Sequence, residues 1–212
     1  MWSARSAVPM LAVAVALAGP VVSGPAAADP LPTPTVDFAL KAKLRDGGSL
    51  DLSHAGGKMR MEMLPKASPA MVVGLIDLKT GKIVVMVRSM PKMAVQTDLP
   101  PEYNFAMLAG AGSGTHVGTA QVAGENCDLW KVETSSATTG PTTACITADG
   151  IALRTEVEIQ GKPQVIYEAT ALTRGPQDPQ LFVMPTGVQT IKIPKGASAA
   201  ALPSLLPGGA VR

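Results

Sequence analysis

The sequence predicts a mainly β protein: one large, strongly curved or partly closed antiparallel sheet, with a short helical segment covering a face. Three observations carry this. Apolar and polar residues alternate in short runs, turn signals separate the runs, and only one stretch of the mature chain suits a helix. Connections this short force antiparallel pairing.

The chain begins with a segment the sheet does not need. Arg5 lies in a short n-region, an apolar run follows from Val8 to Ala18, and Gly19 and Pro20 break it. Ala26, Ala27 and Ala28 supply small residues at the A-x-A positions, so residues 1–28 read as a signal peptide cleaved after Ala28. The run is too short for the roughly 20 residues of a membrane helix, and no later stretch is long enough for a transmembrane span. No cysteine follows it, which closes the lipoprotein route. The expected location is the periplasm.

Residues 29–35 contain three prolines and read as a leader to a domain spanning 36–194. Val36, Phe38, Leu40, Ala42 and Leu44 face one way and Asp37, Lys41, Lys43 and Arg45 the other, a half-buried strand ended by Asp46, Gly47 and Gly48. Met59, Met61 and Met63 alternate with Arg60 and Glu62 until Pro65. Residues 71–78 and 83–88 read as a hairpin. With Thr80 and Gly81 as its loop, Leu78 pairs with Ile83, Ile76 with Val85 and Gly74 with Val87. Residues 92–98 continue as a strand.

Pro100, Pro101 and Glu102 suit a helix start, residues 103–109 two turns and Gly110 a stop. Gly112, Gly114 and Gly118 then read as a mobile linker. A meander follows: residues 117–122, 125–132, 142–148, 151–159 and 164–173, with Asp149–Gly150 as a two-residue turn. Residues 181–184 and 189–193 read as short final strands, about ten strands by the period-two criterion. From Lys195 to Arg212 the Ala, Gly, Pro and Ser content predicts a disordered tail.

Composition excludes several functions. The formal charge is +2 and aromatic residues are 3% of the chain, so neither basic clusters nor stacking platforms suit nucleic acid. Trp2 leaves with the signal, which makes Trp130 the only tryptophan of the mature chain. The two cysteines, Cys127 and Cys145, both lie in the exported part and predict a disulfide. A hairpin centred on Ser136 would set them directly opposite, with Cα atoms about 4.5–5.5 Å apart.

Catalytic patterns are weak. His54 and His116 are the only histidines; His116 follows Ser113, but no orienting group or oxyanion hole is apparent beside them. Glycines 110, 112 and 114 do not follow a strand within a βαβ unit, so they are no dinucleotide fingerprint. Glu156 and Glu158 lie about 7 Å apart on one strand face, as solvated neighbours do. No catalytic residue, no cofactor and no metal site is expected. The methionine strand leaves two readings open: three thioethers on one face could hold Cu(I), or supply an adaptable apolar surface. Absence of a neighbouring histidine or cysteine in the sequence weighs against copper.

Cys127 and Trp130, Cys145, Asp149–Gly150 with Ile151, Leu153 and Arg154, then Asp178–Pro179, Leu181–Phe182, Pro185 and Gly187 form a recurring pattern. It resembles exported bacterial domains of unknown function that are similar to the LolA-like lipoprotein-carrier superfamily. The resemblance implies a half-open antiparallel barrel with a helical lid over an apolar trough, in a group whose members carry acyl chains or sense exported proteins. The expected function is binding of lipid or acyl chains, free or on an acylated protein, without covalent catalysis. Phe38, Leu40, Met59, Met61, Met63, Ile76, Val85 and Val87 would line the trough, and Tyr103, Phe105 and Met107 would belong to the lid. An envelope protein partner, met through a scaffold's exposed sheet edges or its apolar tail, and Cu(I) binding at Met59, Met61 and Met63 are the alternatives.

Overall fold

The computed structural model describes residues 28–68, 70–99, 112–132 and 140–193, and these form one sheet of 13 strands. In chain order they are β1 Asp29–Pro30, β2 Phe38–Leu44, β3 Ser49–Ala55, β4 Lys58–Leu64, β5 Val72–Asp77, β6 Lys82–Val87 and β7 Met93–Asp98. Then come β8 Ser113–Val122, β9 Glu125–Val132, β10 Thr142–Ile146, β11 Ala152–Ile159, β12 Lys162–Arg174 and β13 Gln189–Lys192. Their spatial order is β1-β8-β9-β10-β11-β12-β2-β3-β4-β5-β6-β7-β13, so the sheet has two ends and is not closed.

The mainly β reading holds, with four corrections. Leu50, Leu52 and His54 alternate with Ser49, Asp51 and Ser53 in a strand the sequence reading passed over, β3. Gly56 and Gly57, both at positive φ, form its two-residue turn into β4. The glycine-rich stretch expected to be a linker is instead most of β8. Residues 181–184, expected to be a strand, are not one: Leu181 and Phe182 end a 3-10 turn, Pro179–Phe182, capped by Asp178. Finally β13 pairs parallel with β7, so the sheet is mixed at one end. The helical lid expected at Tyr103, Phe105 and Met107 falls outside the described residues, as do residues 1–27 of the expected signal peptide and the expected tail.

Two registers differ from expectation. In the β5–β6 hairpin Ile76 faces Ile83 and Gly74 faces Val85. The Asp77 carboxylate accepts the N–H groups of Lys79 and Thr80, which makes a four-residue loop where two were expected. A slip of two keeps every side chain on its expected face. Between β9 and β10, Cys145 faces Leu129, so Cys127 and Cys145 are diagonal neighbours. They still form a disulfide, with Cα atoms 5.4 Å apart.

One sheet must bury its own apolar face. The strands of one half (Phe38, Leu40, Leu52, Met59, Ile76) and of the other (Cys145, Ile151, Leu153, Tyr167) enter a single buried cluster. The outer face carries two smaller clusters, covered by the chain's two ends. Leu31 packs on Val132, Ala144, Ile146 and Ala152 beside Trp130, and Met184 and Val188 pack on Val73, Met86 and Ala94.

Replacing Cys127 and Cys145 together by serine should cost roughly 3 kcal/mol on the chain-entropy estimate. Thermal melts measure it, and thiol titration of unfolded, unreduced protein should find no free thiol; two thiols per chain would refute the bond.

Candidate functional site

The residues expected to line a trough come together on the inner face, because strands of period two present Met59, Met61 and Met63 to the same side as Phe38 and Leu40. Phe38, Leu40, Met59, Met61 and Ile76 are 1–7% exposed and packed in the main cluster. Met63 and Val85 are partly buried at its margin, with Val36, Leu129 and Leu172. Val87, half-buried, lies outside it. Sequence reasoning missed the opposing wall, Ile151, Leu153, Tyr167 and Ala169, although the alternation of β11 and β12 carried the signal.

His54 is buried in this face. Its ring stacks on Phe38 with centroids 5.3 Å apart, and Nδ1 lies 3.0 Å from the Val36 carbonyl. His54 stands directly across from Met59, so the methionine strand does have a histidine neighbour, which the sequence alone did not reveal. Tyr167 donates its hydroxyl to the Ala152 carbonyl at 3.1 Å, and burial pushes that hydroxyl up to about 12.

The candidate catalytic pairs dissolve. Ser113 and His116, three apart on β8, point to opposite faces of the strand. His116 Nε2 lies 3.4 Å from Asp128 and its ring meets Trp130 edge-on. Glu156 is ion-paired with Arg154 at 3.1 Å, and Arg154 reaches Glu168 at 3.6 Å. Among the described residues, no group of three His, Cys, Asp or Glu side chains could hold a metal.

The polar centre of the structure is a latch at Asp149. Arg174, at the end of β12, donates Nε to Asp149 at 2.6 Å and reaches Glu125 of β9 at 3.0 Å. Thr147 donates its hydroxyl to the same carboxylate, and the Asp149 carbonyl accepts the N–H of Thr35. Gly150, at φ +84°, has the Thr33 carbonyl where a Cβ would stand, 2.0 Å from it. The incoming N-terminal segment therefore crosses the β10–β11 turn in contact with its backbone. Hydrogen bonding from Arg174 above all, and from Thr147, holds the Asp149 carboxyl below its ordinary range despite partial burial.

No family model matches this sequence, and no curated protein matches it. Among solved structures the chain is similar to an uncharacterized conserved protein from Thermus thermophilus, at 15% identity and TM-score 0.53, over 75% of this chain and 91% of that one. It is also similar to a chain of the Pseudomonas aeruginosa MucA/MucB complex (14% identity, TM-score 0.44), covering 75% of this chain and 59% of that one. A third is a putative outer membrane lipoprotein-sorting protein domain from Vibrio parahaemolyticus, at 8% identity and TM-score 0.34, covering 69% and 89%. The Thermus likeness is one of fold. Among the described residues no helix is long and apolar enough to cross a membrane. The disulfide belongs to an oxidising compartment.

Because the folded Asp149 pKa is depressed, its stabilisation is present above the ordinary value near 3.8 and lost as pH falls through the folded one. Asp149→Asn should lower the melting temperature at neutral pH and flatten its fall below about pH 4. Equal losses at pH 7 and pH 3 would show that the carboxylate's charge is not what matters. Gly150→Ala should destabilise by more than about 1 kcal/mol, since it sets a Cβ against the Thr33 carbonyl at a φ that alanine disfavours.

Proposed function

We propose that this is an exported, non-catalytic binding protein for lipid or acyl chains, taken up against the margin of its inner apolar face. The observation that carries this is a set of partly buried apolar side chains, Val36, Met63, Val85, Leu129 and Leu172 among them, packed against a buried apolar cluster. Such a set supplies contact for an alkyl chain while the cluster remains packed. Each buried CH₂ contributes about 0.8 kcal/mol before ordering costs, so a long chain gives usable affinity without any polar anchor. Methionine in that set adapts to chains of different shape. An N-terminal export signal suits work in the compartment where acylated proteins and lipids are handled.

Native mass spectrometry after mild extraction should find co-purified lipid. Met63→Glu and Val85→Glu should each weaken fluorescent fatty-acid binding at least tenfold, about 1.4 kcal/mol. A clean apo mass together with no fatty-acid binding would defeat the proposal.

His54 favours one second reading, Cu(I) held by the methionine strand. With Nδ1–H donating to Val36, Nε2 keeps its lone pair, and a mixed imidazole and thioether set suits a soft cation. Met59→Leu with Met61→Leu preserves volume and removes both sulfurs. Cu(I) titration under reducing conditions should then lose its tight phase; an unchanged titration would end this reading.

A further inference from the structure

The two ends of the sheet are finished differently. β13 is four residues long, ends in Lys192 and runs into Pro194, devices that discourage a further strand. β8 is ten residues long, and among the described residues only Asp29 and Pro30 pair with its outer edge, at Gly114 and Ser113. From Ser113 to Val122 it has no Asp, Glu, Lys, Arg or Pro. His116, Val117, Thr119 and Gln121 are exposed.

Backbone direction along this edge follows from one bond. The Leu31 N–H donates to the Gly112 carbonyl at 3.0 Å, so Gly112 points away from β9. Residues of an antiparallel strand alternate between their two neighbours, which turns Gly114 and His116 outward as well. The bulge at Val117 resets the alternation. Gly118, Ala120 and Val122 then face β9, and Thr119 and Gln121 present N–H and C=O outward. The Ala120 carbonyl lies 3.6 Å from Sγ of Cys127 on β9, as this assignment requires.

We infer that this edge pairs antiparallel with the same edge of a second copy of this chain. With Ala120 on the two-fold axis, Thr119 of each copy meets Gln121 of the other, and both exchange backbone hydrogen bonds. Ala120, among the smallest side chains of the strand, suits an axis where two Cα atoms approach closely. An uncharged edge permits the self-match, since like charges directly opposite would oppose it. Asp29–Pro30 already uses this edge as an antiparallel template within the chain, and the second copy extends that use.

Sedimentation of the purified protein should show dimer growing with concentration, and hydrogen exchange should slow at the Thr119 and Gln121 amides in step with it. Thr119→Pro removes an outward donor, leaves the ladder to β9 intact, and should give a monomer with an unchanged melting temperature. Thr119→Lys keeps that amide and adds charge beside the axis, and it should weaken the dimer in a salt-dependent way. A monomer at all concentrations overturns the inference. So does a dimer that both variants leave intact, or one assembled with those two amides exchanging freely.

Discussion

A single sheet has no second layer on which to bury its apolar face, and the rest of this structure follows from that constraint. Side chains of period two put Leu40, Leu52, Met59 and Ile76 on one side of one half, and Leu153 and Tyr167 on one side of the other. Only bending the sheet until the halves meet removes both sets from water. The driving force is ordinary hydrophobic burial; what is unusual is that covalent neighbours along one hydrogen-bonded ladder supply both walls.

Curvature is unevenly distributed. Register shifts occur at His116/Gly118, Cys145/Ile146, Thr155/Glu156 and Ala169/Ala171, all within β8 to β12 and their junction with β2. From β2 to β7 the ladders run without a shift. Bulges increase local twist and bend, so β8–β12 curls over a more regular half. The disulfide and the Arg174 latch lie in the curled half. Cys127–Cys145 ties β9 to β10, and Arg174 ties the end of β12 to Glu125 and Asp149. Both oppose the uncurling that would expose the main cluster. Terminal segments then cover the outer face, Leu31 over one half and Met184 over the other.

Strand identity was legible wherever alternation was clean. β2, β4 and β9 appear where the period-two pattern put them, because solvation of one face enforces it. β3 was passed over because Ser49, Asp51 and Ser53 flank only two leucines and a histidine, a weak apolar signal that becomes strong once β2 and β4 flank it. The glycines of β8 read as a linker, yet a strand edge tolerates them where one neighbour alone demands a regular ladder. The Cys127–Cys145 pair was legible from compartment, but its diagonal geometry depended on register across residues 133–139, which lie outside the described chain. Phe38, Leu40, Met59, Met61 and Ile76 share one buried cluster. Their packing against Ile151 and Leu153 was not readable, because it is long-range in sequence.

That packing constrains how such a protein could take a ligand. Phe38, Leu40 and Met59 are each at most 3% exposed, so their surface is already used by the fold. A ligand that displaced them would gain burial only by removing burial the structure depends on, with little net effect. Partly buried positions such as Met63, Val85 and Leu129 still carry apolar surface in water and lose nothing when covered. Apolar contact of this kind would read the length and shape of an alkyl chain, since each methylene it covers adds a similar increment. Affinity would therefore rise steadily with chain length, and a binding series across acyl lengths should show an even free-energy increment per methylene.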